Sequence, residues 1–87
     1  MTDSNRHDLE RELRDFIART FLFGRPATMA GTASLQELGV IDSTGVLELV
    51  GFLQTQYGFQ VGDEEMHPRN LDSIEQLVAF VQRKRAG

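Results

Sequence analysis

The chain has 87 residues and contains no cysteine and no tryptophan. Without cysteine it can form no disulfide, thiolate metal site or cysteine nucleophile, so any thiol chemistry would need an imported thiol. The two histidines, His7 and His67, stand far apart and are too few for a metal site. Cations are scarce, nine against thirteen acids, and the net charge is −4. That balance argues against nucleic-acid binding and suits partners with basic patches. No segment approaches the roughly 20 apolar residues that cross a bilayer. Residues Met1 to Asp8 lack the apolar core of a signal peptide. A cytoplasmic protein with no membrane contact is therefore expected. A single small domain buries only a modest core. That leaves little room for a deep active site and favours a binding or carrying module over an enzyme. No nucleophile–base pair with an orienting third group is evident.

What is present is helical periodicity. Leu9, Leu13, Phe16, Ile17 and Phe21 form one apolar stripe on a helix beginning near Asn5. Glu10–Arg14 and Asp15–Arg19 are i,i+4 pairs with the acid N-terminal, the better orientation. Gly24 and Pro26 stop this helix, and Phe21, Leu22 and Phe23 are expected as core and loop anchors. The stretch from Gly24 to Asp42 is irregular and long, which calls for a local anchor. Ser34 to Glu37 reads as a capping box that starts a short turn. Leu35 and Leu38 would enter the core there, and Gly39 would close the turn in a left-handed conformation.

A second long helix is expected from Ser43 to Tyr57, burying Val46, Leu49, Val50, Leu53 and Tyr57 and ending at Gly58. Phe59 to Val61 reads as an extended connection with Phe59 and Val61 inward. Asp63 to Met66 reads as a short helical turn with acids at its positive end, closed by Pro68. Ser73 to Gln76 is a second capping box, and it starts the last helix. Ile74, Leu77, Val78 and Val81 form that helix's stripe, with Phe80 beside it. Arg83, Lys84 and Arg85 fall in its last turn, where cations complement the helix dipole. The expected fold is all-α: one antiparallel bundle of three long helices and one short helix. It occupies residues 1–87, with about 1–4 and 86–87 disordered.

The informative stretch runs from Leu38 to Val50, where the long loop meets a core helix. Ser43 lies at or beside the N-cap, with its hydroxyl exposed off the helix end. Free backbone N–H groups and the positive dipole end lie next to it. A phosphodiester on that oxygen would sit where anions are favoured. Asp42 and Ser43 are also ordinary capping residues, and the pair alone need signify no more than a cap.

The context adds more. Gly39, Asp42 and Ser43, followed by a hydrophobic helix, resemble the modification motif of acyl and peptidyl carrier proteins. The resemblance extends over most of the chain. It takes in the amphipathic first helix, the loop with Leu35 and Leu38, the run from Leu49 to Gly58, the segment Phe59 to Glu65, and the last helix. The resemblance implies that Ser43 accepts 4′-phosphopantetheine from coenzyme A through a separate phosphopantetheinyl transferase. It implies that Asp42 helps that transferase bind magnesium. The arm's thiol would then carry an acyl or aminoacyl group as a thioester. The protein would be a free-standing carrier and no enzyme itself. The competing possibility is a carrier-fold interaction module that is never modified.

The chain departs from fatty-acid carriers, in which the helix after the serine displays several acids. Gly45, Gln54 and Thr55 stand where acids are usual, and Glu48 is retained. Charge steering of partners should be weaker. Partner docking is assigned to Thr44, Leu47, Glu48 and Gly51. Leu47 could instead be peripheral core, and Gly51 could instead mark tight packing on a neighbouring helix. Ile41 to Leu49, with His67 and Pro68, resembles discrete carriers of specialised pathways. Such carriers imply an adenylating ligase that loads the arm and a downstream tailoring or condensing enzyme. A monomer is expected.

Overall fold

The computed structural model describes the backbone of residues 2–86 and the side chains of residues 6–86. Four α-helices and one 3₁₀ turn follow in order: α1 (Thr2–Phe21), α2 (Ser43–Tyr57), the 3₁₀ turn (Asp63–Glu65), α3 (Pro68–Leu71) and α4 (Ile74–Ala86). No strand occurs among the described residues. The expected all-helical bundle is what forms. Helix α1 begins three residues before Asn5, because extending a formed helix costs far less than nucleating one. Residues 2–4 and Ala86, assigned to disordered ends, have helical backbone. Met1 and Gly87 lie outside the described residues.

Helices α1 and α2 run antiparallel. The Tyr57 hydroxyl donates to Glu12 Oε1 at 2.7 Å, Phe16 stacks on Phe52 at 4.0 Å, and the Phe21 ring reaches Gly45. Rising numbers on one helix thus meet falling numbers on the other. Helix α4 packs against α1, α2 and α3 and closes the bundle. Leu13, Ile17, Leu35, Leu49, Leu53, Leu77 and Val81 are fully buried at its centre. Every aromatic residue except Phe23 joins one chain of ring contacts. It runs Phe21–Phe16–Phe52–Tyr57–Phe59–Phe80, with centroids 4.0–6.4 Å apart. Such pairs add to simple area burial. Burial and the carboxylate of Glu12 push the Tyr57 phenol well above its ordinary pKa.

The long loop has two anchors. Arg14 is held by Glu10 at 2.9 Å and donates from Nη1 to the carbonyls of Ala27 and Met29, at 2.6 and 2.8 Å. Asp72, just before α4, accepts from Ser34 Oγ at 2.5 Å and from the Gln36 N–H at 2.9 Å. Ser34 Oγ accepts in turn from the Glu37 N–H at 3.1 Å, the first half of a capping box. The second half is missing, and residues 35–39 form a turn, not a helix. Gly39 is left-handed, φ +73°, as expected.

Several expectations need correction. Leu38 is 53% exposed and not in the core. The N–H groups of Val40 and Ile41 both bond to the Leu35 carbonyl, so the chain doubles back and Ile41 fills that place. Phe23 is no anchor. It adopts a left-handed φ of +57° at the end of α1 and is 96% exposed. The Gly24 N–H bonds to the Ala18 carbonyl at 2.8 Å, a helix-ending pattern that turns Phe23 outward. Arg19 turns to the Asp15 backbone carbonyl, not its carboxylate.

Pro68 opens α3 and does not close the preceding turn. His67 is the N-cap of α3, its Nδ1 accepting from the Arg69 N–H at 3.2 Å. A proline at the first helical position gives up only an N–H that had no helical partner. Glu65 does more than face the positive end of the 3₁₀ turn. It accepts from the Gly62 N–H and pairs with Lys84 Nζ at 2.9 Å. The C-terminal cations likewise do more than complement the dipole. Arg83 donates to Asn70 Oδ1 at 3.1 Å, and Arg83, Lys84 and Arg85 lie over the rings of Phe80, Phe59 and Tyr57.

Candidate functional site

The loop delivers Ile41 into the core, where it is 4% exposed, and the chain then turns outward. Asp42 is extended, at φ −107° and ψ −174°, and is the N-cap of α2. Its Oδ1 accepts from the Gly45 N–H at 2.7 Å, and its carbonyl accepts from the Val46 N–H at 3.0 Å. Ser43 is therefore the first helical residue, one position after the cap, and it is exposed. The first turn of α2 holds no acidic side chain. Among the described residues no hydrogen bond engages the N–H of Ser43 or Thr44. These are the unsatisfied donors of a helix start, and an anion at Ser43 Oγ would find them close by.

The residues assigned to docking share one surface. Thr44, Leu47, Glu48 and Gly51 are all exposed on α2 with Ser43. Leu47 and Gly51, and Thr44 and Glu48, are each one turn apart and lie side by side. Leu47 is 62% exposed, which removes the alternative of peripheral core. A Cβ built on Gly51 would meet nothing within 4 Å, so tight packing on a neighbouring helix does not explain that glycine.

Gly45 behaves in the opposite way. Although grouped by sequence with the exposed side, it is buried. A Cβ there would lie 2.9 Å from Phe21 Cε1, 3.3 Å from Ile41 Cγ2 and 3.4 Å from Asp42 Oδ1. Helix angle explains the difference: two residues past Ser43 is about 200° around the helix, on the side facing α1.

Sequence reasoning missed the supports of this site. Phe21 lies against α2's first turn, and Arg14 and Asp72 fix the loop that leads into it. The His-Pro pair at 67–68 could have been read as a cap and first helical residue. The Glu10–Arg14 pair is local, but nothing local marks the loop contacts of Arg14 and Asp72, whose partners there are 13 to 38 residues away.

Open space lies elsewhere. A crevice of about 40 Å³ between the start of α2 and α3 is lined by Ile41, Val46, Met66 and Leu71, among others. A groove of about 670 Å³ follows the outer face of α1 from His7 to Ala18 and meets Pro26 and Ala27. None of the residues from Asp42 to Gly51 lines it. Among the described residues, no helix is long and apolar enough to cross a membrane.

No protein-family model matches the chain. A curated relative does. The probable acyl carrier protein PigG of Serratia sp. (strain ATCC 39006) is 36% identical over 78 residues, covering 90% of each chain.

Proposed function

The chain belongs to the acyl carrier protein family, and we propose that it is a free-standing carrier modified with 4′-phosphopantetheine at Ser43. The observation that carries this reading is the placement of Ser43. It is an exposed hydroxyl at the first position of a 15-residue core helix, directly after a capping aspartate. The residues suit the group. The hydroxyl is accessible, two backbone N–H groups stand unengaged beside it, and the neighbouring carboxylate, that of Asp42, is itself tied to the Gly45 N–H. When bound, the arm supplies the thiol that holds an acyl or aminoacyl group as a thioester, which a chain without cysteine cannot supply itself.

Ser43 Oγ gains its phosphorus bond as the pyrophosphate linkage of coenzyme A breaks. The hydroxyl proton passes to a base of the separate transferase, and adenosine 3′,5′-bisphosphate leaves. Asp42 serves twice in this reading. Oδ1 holds the helix cap, and the rest of the carboxylate, with no hydrogen bond among the described residues, would offer a hard oxygen ligand to the transferase's magnesium.

Thr44, Leu47, Glu48 and Gly51 form the surface on which partner enzymes dock. With one carboxylate among them, recognition rests on shape and apolar contact more than on charge steering. The partners this implies are the transferase, an adenylating ligase that loads the arm, and a tailoring or condensing enzyme. The protein works as a cytoplasmic monomer of a specialised biosynthetic pathway and shuttles a covalent substrate without catalysing a reaction of its own.

The test is the intact mass of the protein isolated from its native cell. A phosphopantetheine increment on the peptide containing Ser43, with or without cargo, is expected. A stoichiometrically unmodified protein that still binds a partner would favour an interaction module instead.

A further inference from the structure

Helix α2 carries two interior glycines, and only one of them faces open space. Gly51 is exposed with nothing near its missing Cβ, whereas Gly45 lies beneath the last residue of α1. The Phe21 ring would stand 2.9 Å from a Cβ at position 45, closer than side chains tolerate. That ring is partly buried, and it does not stand alone. Its own partner is Phe16, in edge contact at 5.9 Å and 87°. Phe16 is in turn stacked on Phe52 at 4.0 Å. The ring is thus backed by α1 and α2 together, and a methyl group at position 45 would press on a braced wall.

The turn that would yield instead is the one that carries the chemistry. Gly45 N–H is the donor that holds Asp42 Oδ1, at 2.7 Å. Ile41 and Asp42 are the other atoms around the same point, at 3.3 and 3.4 Å. Phe21, Ile41, Asp42 and Gly45 therefore close around one spot, and Ser43 projects from its outer side. We propose that Phe21 and Gly45 are a positioning pair that fixes the first turn of α2, and with it the direction in which Asp42 and Ser43 meet the transferase. The proposal rests on the reading of Ser43 as the attachment point. In this role Phe21 and Gly45 need touch neither the arm nor the transferase. They act through Asp42 and Ser43.

The test compares the apo protein with Gly45→Ala, Phe21→Ala and the double variant, using coenzyme A, magnesium and a promiscuous phosphopantetheinyl transferase. Circular dichroism checks folding, and Phe21→Leu replaces Phe21→Ala if the latter does not fold. Gly45→Ala is expected to raise KM for the carrier about tenfold with kcat held within about twofold, the pattern of a misplaced docking geometry. In the Phe21→Ala background the same substitution should change KM by less than about twofold, because the ring it collides with is gone. The backbone amide resonances of Ser43 and Thr44 should shift in Gly45→Ala and move back in the double variant, independent of any transferase. A loaded wild type with an unchanged KM in Gly45→Ala would overturn the positioning role alone. So would a KM rise of equal size in both backgrounds. A wild type that is never loaded, while a control carrier is, would sink the reading of Ser43 and this proposal with it.

Discussion

Asp42 Oδ1 lies 2.7 Å from the amide nitrogen of Gly45, so the residue before Ser43 is tied to the residue two after it. The tie makes Asp42 a cap, and the proposed contact with the transferase's magnesium would be a second role. The two roles separate experimentally. Asn is as good an N-cap as Asp, whereas Ala is poor. Asp42→Asn should keep stability within a few tenths of a kcal/mol and still lose most of the loading rate, since the charge is gone. Asp42→Ala should lose both, with about 1 kcal/mol of stability. Urea denaturation alongside transferase kinetics distinguishes them. Equal loading by Asp42→Asn and wild type would reduce Asp42 to a cap.

The surface of α2 yields a contrast between neighbours. Leu49 is fully buried and Leu47 is 62% exposed. Leu49→Ala should cost about 2–5 kcal/mol as a cavity-forming change, and Leu47→Ala no more than about 0.5 kcal/mol. Leu47→Ala should nonetheless slow a partner reaction, read as a higher KM for the carrier. Unfolding of Leu47→Ala would contradict its placement on the docking surface.

Gly51 should be replaceable at a gain in stability. With open space around its Cβ position and helical backbone, Gly51→Ala should stabilise the protein by up to about 1 kcal/mol. Thermal melting measures this. If the docking surface needs the bare backbone there, the same variant should react more slowly with a partner while melting higher.

Asp72 is expected to matter more than an exposed acid would. Its carboxylate receives two hydrogen bonds from the loop, from Ser34 and Gln36. Asp72→Ala should destabilise by about 2–4 kcal/mol, since bonds to a charged group exceed neutral ones. Amide hydrogen exchange should show the loss concentrated in residues 31–41. Uniform loss of protection across the chain would deny Asp72 this local role.

The Glu65–Lys84 pair gives a pH signature. The Gly62 N–H, and after it Lys84, hold the Glu65 carboxyl below its ordinary value of 4.5. A carboxyl depressed in the folded state adds stability above its unfolded pKa, and that contribution fades as pH falls through the folded value. The gap in urea midpoint between wild type and Glu65→Gln should be present at neutral pH and shrink below about pH 4.5. A gap independent of pH would show that Glu65 contributes by packing alone.

The sequence carried most of the fold because the apolar stripes and caps agree. The predicted limits of α2 match those observed, and Leu49, Val50 and Leu53 are buried as expected. The misses share a cause. Phe23, Leu38 and Pro68 sit where the chain changes direction: a left-handed φ turns Phe23 outward, the doubling back at Val40 and Ile41 displaces Leu38, and Pro68 begins the next helix. Gly45 was misplaced because a depleted acid pattern suggests an exposed strip, while helix rotation and the Phe21 ring settle the matter in three dimensions. Arg14 and Asp72 were illegible because a loop's long-range partners leave no local pattern. The resemblance to acyl carrier proteins was legible because it rests on the order of Gly39, Asp42 and Ser43 along the chain, and the relative bears out the family.

The most direct measurement is intact mass after incubating the apo protein with coenzyme A, magnesium and a promiscuous phosphopantetheinyl transferase. Wild type should gain one phosphopantetheine, and Ser43→Ala should gain none while remaining folded. A wild type that gains no mass under conditions that load a control carrier, or a Ser43→Ala variant that gains it, would contradict the assignment of Ser43.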